Sequence, residues 1–319
     1  MHGLIEKVLL PKLGNAILNQ LGDSALLKLN GNIAFSTDSF VVSPLFFPGA
    51  DIGKLAICGT VNDLVMMGAR PQYLSLGLIV EEGLDMKILE KIIDSLAINA
   101  KKSGVQVVTG DFKVVEKGAC DKIFINSSGV GKIISKRPMS VENISKGDQI
   151  IITGEIGLHG LAVLARRKNL DLKLNIKSDC QALGGLLLPL VKTTSAIKFM
   201  RDPTRGGLAS TLNEITQATG RGIVIEDKKI PVSRQVKAAC ELLGIDPLYV
   251  ANEGKAVLIV DRKNSAKILA CLKKHPMGKK AAIIGELSDK LKGRVILKTS
   301  IGTERIVDML SGEALPRIC

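Results

Sequence analysis

The chain predicts an α+β fold in two domains, on three observations. Strand-like and helix-like stretches alternate along its 319 residues, but without long βαβ regularity. Asn30-Gly31, the strongest short hairpin signal, lies between strand-like residues 25–30 and 33–36, and hairpins favour α+β over a doubly wound parallel sheet. The length suits two domains at about 150 residues each. A polar stretch at 135–148, holding Lys136, Arg137, Pro138, Lys146 and Gly147, is the candidate boundary.

The elements follow in order. Asp51 can cap a helix over 52–67, with Ile52, Leu55, Ala56, Leu64 and Val65 at helical spacing and Gly68 as its stop. Residues 73–80 read as a strand. Asp85 caps a helix through Lys102, which Gly104 ends, and strands follow at 105–109 and 122–134. Beyond the boundary, 149–153 is a short buried strand. Helices are expected at 158–168, 181–194, 208–218 and 233–243, and strands at 223–226, 256–260, 281–286 and 295–298. Residues 1–136 and 147–310 therefore form the two domains, and 311–319 a flexible tail.

Composition excludes several classes. Apolar residues make up 46% and charged residues 24%, which is incompatible with a largely disordered chain. Aromatics are 3% with no Trp, so base stacking on aromatic platforms is excluded as a mode of nucleic-acid binding. The net charge of +13 comes from dispersed lysines that reach only pairs, such as Lys101-Lys102 and Lys279-Lys280, which reads as a solvated surface rather than a polyanion site. No two of the six cysteines lie closer than 31 residues, so Cys-x-x-Cys metal or redox spacing is absent. No basic-then-apolar leader opens the chain and no apolar run reaches membrane length, so the expectation is a soluble cytoplasmic protein without membrane contact.

Three features carry chemistry. Asp38, Asp63 and Asp111 lie where regular elements meet loops, and carboxylates are the hard ligands that Mg²⁺ takes. Asp63 is the most informative, because an Asp inside an apolar helix needs a reason. The run Arg201-Asp202-Pro203-Thr204-Arg205-Gly206-Gly207 opens a helix, where free N–H groups and guanidinium groups suit phosphate. The sequence ends on Pro316-Arg317-Ile318-Cys319, and a terminal thiol can carry a group into a site. The other five cysteines read as core.

Together these features resemble the HypE family, the carbamoyl dehydratases of nickel–iron hydrogenase maturation. The resemblance runs through Thr37-Asp38-Ser39, Asp51-Ile52-Gly53-Lys54-Leu55, Gly59-Thr60-Val61-Asn62-Asp63-Leu64 and Thr109-Gly110-Asp111. It continues through Lys113-Val114-Val115, the Arg201–Gly207 run, Val250-Ala251-Asn252-Glu253-Gly254-Lys255 and the closing Pro316-Arg317-Ile318-Cys319. There are two departures. His2-Gly3 runs directly into Leu4 without the family's Gly-rich opening, and Phe112 replaces a Thr, which removes a hydroxyl near the expected nucleotide.

The resemblance implies a fold like that of aminoimidazole ribonucleotide synthetase (PurM-like): an N-terminal α+β domain that forms a barrel in a homodimer, and a C-terminal α/β domain. It implies ATP-dependent dehydration of a thiocarboxamide on Cys319 to a thiocyanate, the source of the hydrogenase cyanide ligands. HypF would supply the carbamoyl group and a HypC–HypD complex would accept the cyanide. Cys319, Lys113 and Glu253 would be catalytic. Asp38, Asn62, Asp63, Asp111, Arg201, Asp202, Thr204, Arg205, Gly206 and Gly207 would bind ATP, with Mg²⁺ on Asp38, Asp63 and Asp111. The tail would swing between two poses, anchored only by Leu315 and Ile318, with Arg317 beside the phosphates. The alternatives are another ATP-using enzyme of the superfamily acting on a small molecule, which should not need a terminal Cys, and a non-catalytic nucleotide-binding scaffold.

Overall fold

The structure, a computed structural model, describes residues 5–20, 24–167, 175–310, 312, 317 and 318. After a short helical turn, α1 (Leu10–Leu13), the first half builds a four-stranded sheet with two long helices on one face. Its strands are β1 (Ile33–Phe40), β4 (Ala69–Glu81), β5 (Gln106–Val115) and β6 (Ile123–Ile133), in the order β1-β6-β4-β5. A small ladder of β2 (Phe46–Phe47) and β3 (Ala50–Asp51) precedes the helices α2 (Ile52–Met66) and α3 (Met86–Ser103).

Local chemistry explains the helix ends. Asp51 accepts the Lys54 N–H at 3.0 Å and Asp85 the Lys87 N–H at 2.8 Å, while Gly104 closes α3 in the left-handed region at φ 70°. The apolar spacing suggests a one-sided helix at 52–67, but α2 is buried all round except at Lys54 and Asp63. It is sandwiched between the first sheet and the second half of the chain, and only a helix apolar on every side tolerates that.

The hairpin at Asn30-Gly31 does not form. Residues 25–30 are not a strand, and β1 pairs antiparallel with β6, Ile33 opposite Lys132 through Phe40 opposite Ile125. The dipeptide supplies the turn residue, Gly31 at φ 84°, but β1 takes its partner from far along the chain. β1 is also longer than expected, so Asp38 lies inside it, and Asp111 likewise lies inside β5.

The second half holds a seven-stranded sheet in the order β13-β12-β9-β11-β7-β10-β8. The strands are β7 (Gln149–Ile152), β8 (Ile197–Arg201), β9 (Gly222–Glu226), β10 (Val257–Val260), β11 (Ala282–Ser288), β12 (Val295–Lys298) and β13 (Glu304–Val307). Only β12 and β9 pair in parallel. Helices α4 (Leu158–Leu164), α5 (Gly184–Thr193), α6 (Gly207–Thr219), α7 (Arg234–Leu243) and α8 (Ser265–Lys274) complete the α+β architecture. β8, β13 and α8 have no counterpart in the sequence reading. One apolar cluster runs from Phe40 and Leu55 through Leu187 and Ile197 to Leu258, so the two halves share a core.

The helix-free face of the first sheet is open. Phe35 is 68% exposed and Ile79 42%. Phe112 lies on the other face, buried at 4% against the helices, so its substitution for Thr affects packing rather than the open face.

Candidate active site

The candidate site lies where α2 and β1 meet the second half of the chain. Pleating puts Ser36, Asp38 and Phe40 of β1 on the face covered by α2. Asp63, one turn before the end of α2, takes a 2.6 Å hydrogen bond from the Ser36 hydroxyl. That contact accounts for an acid in an apolar helix.

Burial raises the Asp63 pKa, against the Ser36 hydrogen bond and the Arg201 charge. Asp38 is pushed up to about 6, by burial first and then by Asp63, despite the Ser39 N–H and Arg205. Asp202 is pushed up to about 7 by its enclosed position and by Asp63, with Asp38 adding and Arg201 opposing. Glu253 is 4% exposed and held well above the usual carboxylate range by burial, then by Asp202, Asp179 and Asp38. Four acids thus face one another with too little positive charge among them. No three His, Cys, Asp or Glu side chains among the described residues are close enough to form a metal cage by themselves.

The sign of the pH effect follows. A carboxyl with a raised folded-state pKa binds its proton more tightly when folded, so stability is lost as pH rises from the unfolded pKa through the folded one. Asp202→Asn is therefore expected to raise the melting temperature of the nucleotide-free protein at pH 8 and to change it little near pH 4. An equal shift at both pH values would show that Asp202 does not carry this strain.

The phosphate-type run is built as expected in its backbone. Gly206 and Gly207 take φ 73° and 60°, and a Cβ on Gly207 would meet the Leu248 and Val250 carbonyls at 2.6 Å, so both positions require glycine. The Thr204 carbonyl accepts the Gly207 N–H at 2.9 Å and forms the turn into α6, whose first turn has no side-chain cap. Arg205 is exposed near Asp38, whereas Arg201 pairs with Glu214 at 2.8 Å.

Asn62 is not available to a ligand. Its amide nitrogen donates to the Gln181 and Glu253 carbonyls at 3.1 and 3.3 Å, and its oxygen accepts the Leu183 N–H at 2.8 Å. It clamps the two halves together. Asn62→Ala is expected to cost about 3 kcal/mol, because it strands buried main-chain groups, and a urea denaturation midpoint would report it. An unchanged midpoint would return Asn62 to the ligand site.

Asp111 and Lys113 do not join the other acids within one chain. Asp111 is opposite Gly77, which is opposite Asn126 and then Ser39, on the open face, about 14 Å along the sheet from β1. Asp111 and Lys113 pair with each other at 3.1 Å in solvent, and that contact lowers the Asp111 pKa. Asp38 faces the opposite side, because strand parity separates the predicted metal ligands.

Residues to which the sequence reading gave no role complete the site. Asp179 accepts the Glu253 N–H at 3.2 Å and pairs with buried Lys255 at 3.1 Å. The amide of Asn252 bonds Gly157 N–H at 2.7 Å and the Pro203 carbonyl at 3.0 Å, which ties the Glu253 loop to the phosphate-type run. The only sequence signal for Asp179 was a charged residue in a polar break before α5.

The tail arrives beside this loop. Cys319, Leu315 and Pro316 lie outside the described residues, but Arg317 and Ile318 are held. Arg317 Nε donates to the Val41 carbonyl at 2.9 Å, and its guanidinium meets Asp121 at 2.7 Å. The expected anchoring by Leu315 and Ile318 alone is thus corrected: Arg317 is a polar anchor on the first domain and is spent there. Its partners Asp121 and Val41 lie 196 and 276 residues away in sequence.

Comparison with known proteins decides the family. The AIR synthase related N-terminal domain matches residues 21–133 and the corresponding C-terminal domain matches 145–298. A carbamoyl dehydratase HypE from Rhodobacter capsulatus is 47% identical over 300 residues, 94% of this chain and 88% of its own. The chain belongs to the HypE family. Family members are carbamoyl dehydratases of hydrogenase maturation, so the chain is an enzyme. A crystal structure of HypE in complex with ATP matches with TM-score 0.96 and 45% identity, covering 100% of this chain and 96% of that one. A HypE–HypF complex matches with TM-score 0.84 and 49% identity, over 96% and 99%. The family's PurM-like fold agrees with the α+β architecture, and no described helix of this HypE-family chain is long and apolar enough to cross a membrane.

Proposed function

We propose that the chain uses ATP to dehydrate a thiocarboxamide on Cys319 to a thiocyanate, which supplies cyanide for a hydrogenase iron centre. The observation that carries this reading is the tail. The peptide before Cys319 is held against His159, whose ring bonds Ser178, and the next residue, Asp179, bonds the backbone of Glu253. Ile318, the residue before the thiol-bearing one, is thereby linked through His159, Ser178 and Asp179 to a buried acid that binds protons tightly, which supports a reaction of the Cys319 thiol there.

The chemistry balances as follows. The amide oxygen of the thiocarboxamide attacks the γ-phosphorus of ATP, and ADP leaves. One N–H proton is lost as the C=N bond forms. Removal of the second N–H proton breaks the C–O bond, expels phosphate and leaves S–C≡N. Glu253 takes a proton from nitrogen as general base, in a setting that already favours its protonated form. Arg205 and the uncapped first turn of α6, with Thr204 and the two glycines, suit the phosphates.

Mg²⁺ fits the donor set. The facing acids hold a surplus of negative charge, and Mg²⁺ takes one or two carboxylates and completes its shell with phosphate oxygens and water. Asp38 and Asp63 would hold it, and when bound it neutralises charge on the transferring phosphate.

A homodimer belongs to this reading. The open sheet face carries Phe35, Ile79, Asp111 and Lys113, and a second copy that covers it would bring the last two into an enclosed site. Phe35→Glu is expected to give a monomer by light scattering, while a persistent dimer would place the interface elsewhere. The HypE–HypF complex among the structural relatives supports HypF as the carbamoyl donor, and a HypC–HypD complex as cyanide acceptor is part of the proposal.

The test is intact-mass spectrometry of the full chain with HypF, carbamoyl phosphate and ATP. A gain of one carbamoyl mass followed by loss of one water mass is expected. A carbamoylated protein that keeps its mass with ATP would overturn the reading.

A further inference from the structure

We propose that His159 is a positioning residue that fixes the last peptide of the chain for dehydration. This rests on the reading of Cys319 as the reacting thiol.

His159 is fully buried near the start of α4, and both ring nitrogens are engaged. Nε2 lies 2.9 Å from the Ile318 carbonyl and Nδ1 lies 2.9 Å from the Ser178 hydroxyl. A carbonyl can only accept, so Nε2 carries the proton. Burial keeps the ring neutral, against the pull of Asp179, so Nδ1 accepts from Ser178. Ser178 Oγ in turn accepts the Cys180 N–H at 3.0 Å, and the Ser178 N–H donates to the Pro48 carbonyl at 2.8 Å. Every donor in this relay therefore has an acceptor. Phe47 meets the ring edge-on, at 5.4 Å and 87°, and fixes its plane.

The tail side is equally specific. Arg317 sits at φ 53°, a region non-glycine residues seldom occupy. Its carbonyl accepts from Ser43 N–H at 3.3 Å and from the Arg167 guanidinium at 3.0 Å. Two successive carbonyls before the terminal residue are thus captured by donors from the body of the protein. The Ile318 side chain is buried at 5%. A core histidine that merely satisfies its neighbours would not need the Ile318 carbonyl. Here the same ring ties that peptide to Ser178, and Asp179 ties the segment to Glu253. Small errors in the placement of a reacting group cost about a hundredfold in rate.

The experiment compares His159→Gln and His159→Asn in the full chain, carbamoylated by HypF and then given ATP, with single-turnover water loss read by intact mass. The Gln amide nitrogen reaches about where Nε2 lies and can still donate to Ile318. The Asn amide reaches only about as far as Nδ1. Both lose the ring against Phe47, so a merely structural role would slow both equally. The expected result is a loss of about fiftyfold for Asn and less than about fivefold for Gln, with the KM for ATP and carbamoylation by HypF unchanged. Equal rates in the two variants, or a shifted KM for ATP, would overturn the proposal. Should both variants unfold, Ser178→Ala carries the test through the tautomer: about tenfold slower dehydration is expected, and a wild-type rate would overturn it. Failure of the wild type to lose water would instead sink the reading on which the proposal rests.

Discussion

Cys319→Ala is expected to bind ATP as tightly as the wild type and to form no carbamoylated or cyanated protein at all. The phosphates are assigned to Arg205 and the turn Thr204–Gly207, which the substitution leaves intact, so nucleotide binding is expected not to change. The chemistry, by contrast, has nowhere else to go. Cys58, Cys120, Cys180 and Cys240 are buried, and among the described cysteines only Cys271 is exposed. Cys271 lies on α8, so Cys271→Ser is expected to keep full activity. Isothermal titration with ATP and peptide mapping of the modified mass check both statements. A cyano group mapped to any other cysteine would refute the mechanism.

Glu253→Gln is expected to lower the single-turnover dehydration rate by about a hundredfold to ten-thousandfold, the usual worth of a general base. The replacement is isosteric and keeps the backbone bond to Asp179. Removing a buried carboxylate that resists ionisation should raise stability at pH 8, so loss of activity could not be blamed on unfolding. The pH profile gives a second check. A base must be deprotonated to act, so the wild-type rate should climb with pH through a pKa above the ordinary carboxylate range. Asp202 and Asp179 both push it upward, so Asp202→Asn should move the rise to lower pH. A rate independent of pH, or a Gln variant of wild-type speed, would remove Glu253 from the base role.

The sequence by itself determined what depends on near neighbours. Asp51 and Asp85 cap helices because an N-cap reaches only the next two or three N–H groups. Gly206 and Gly207 were legible because their backbone conformations require glycine whatever surrounds them. Asp63 could be singled out because an acid inside an apolar helix needs a partner, although nothing local named Ser36. The family signature also lies in such short runs.

Tertiary structure decided which of these pieces meet. Asn30-Gly31 forms no hairpin, because β6, about ninety residues on, offers β1 a full-length ladder that residues 25–30 cannot match. Asp38 and Asp111 carry the same chemical signal, yet strand parity sends them to opposite faces of one sheet. Asn62 reads as a nucleotide ligand and is consumed in clamping the two halves. Arg317 reads as a phosphate ligand and is consumed by Asp121 and Val41. His159 is one histidine in an apolar run, and its role exists only because the chain's last residues return to it. The physical reason is common to all. Capping and backbone conformation act over one turn, whereas a hydrogen-bond partner or a buried charge is chosen by packing between segments far apart in sequence.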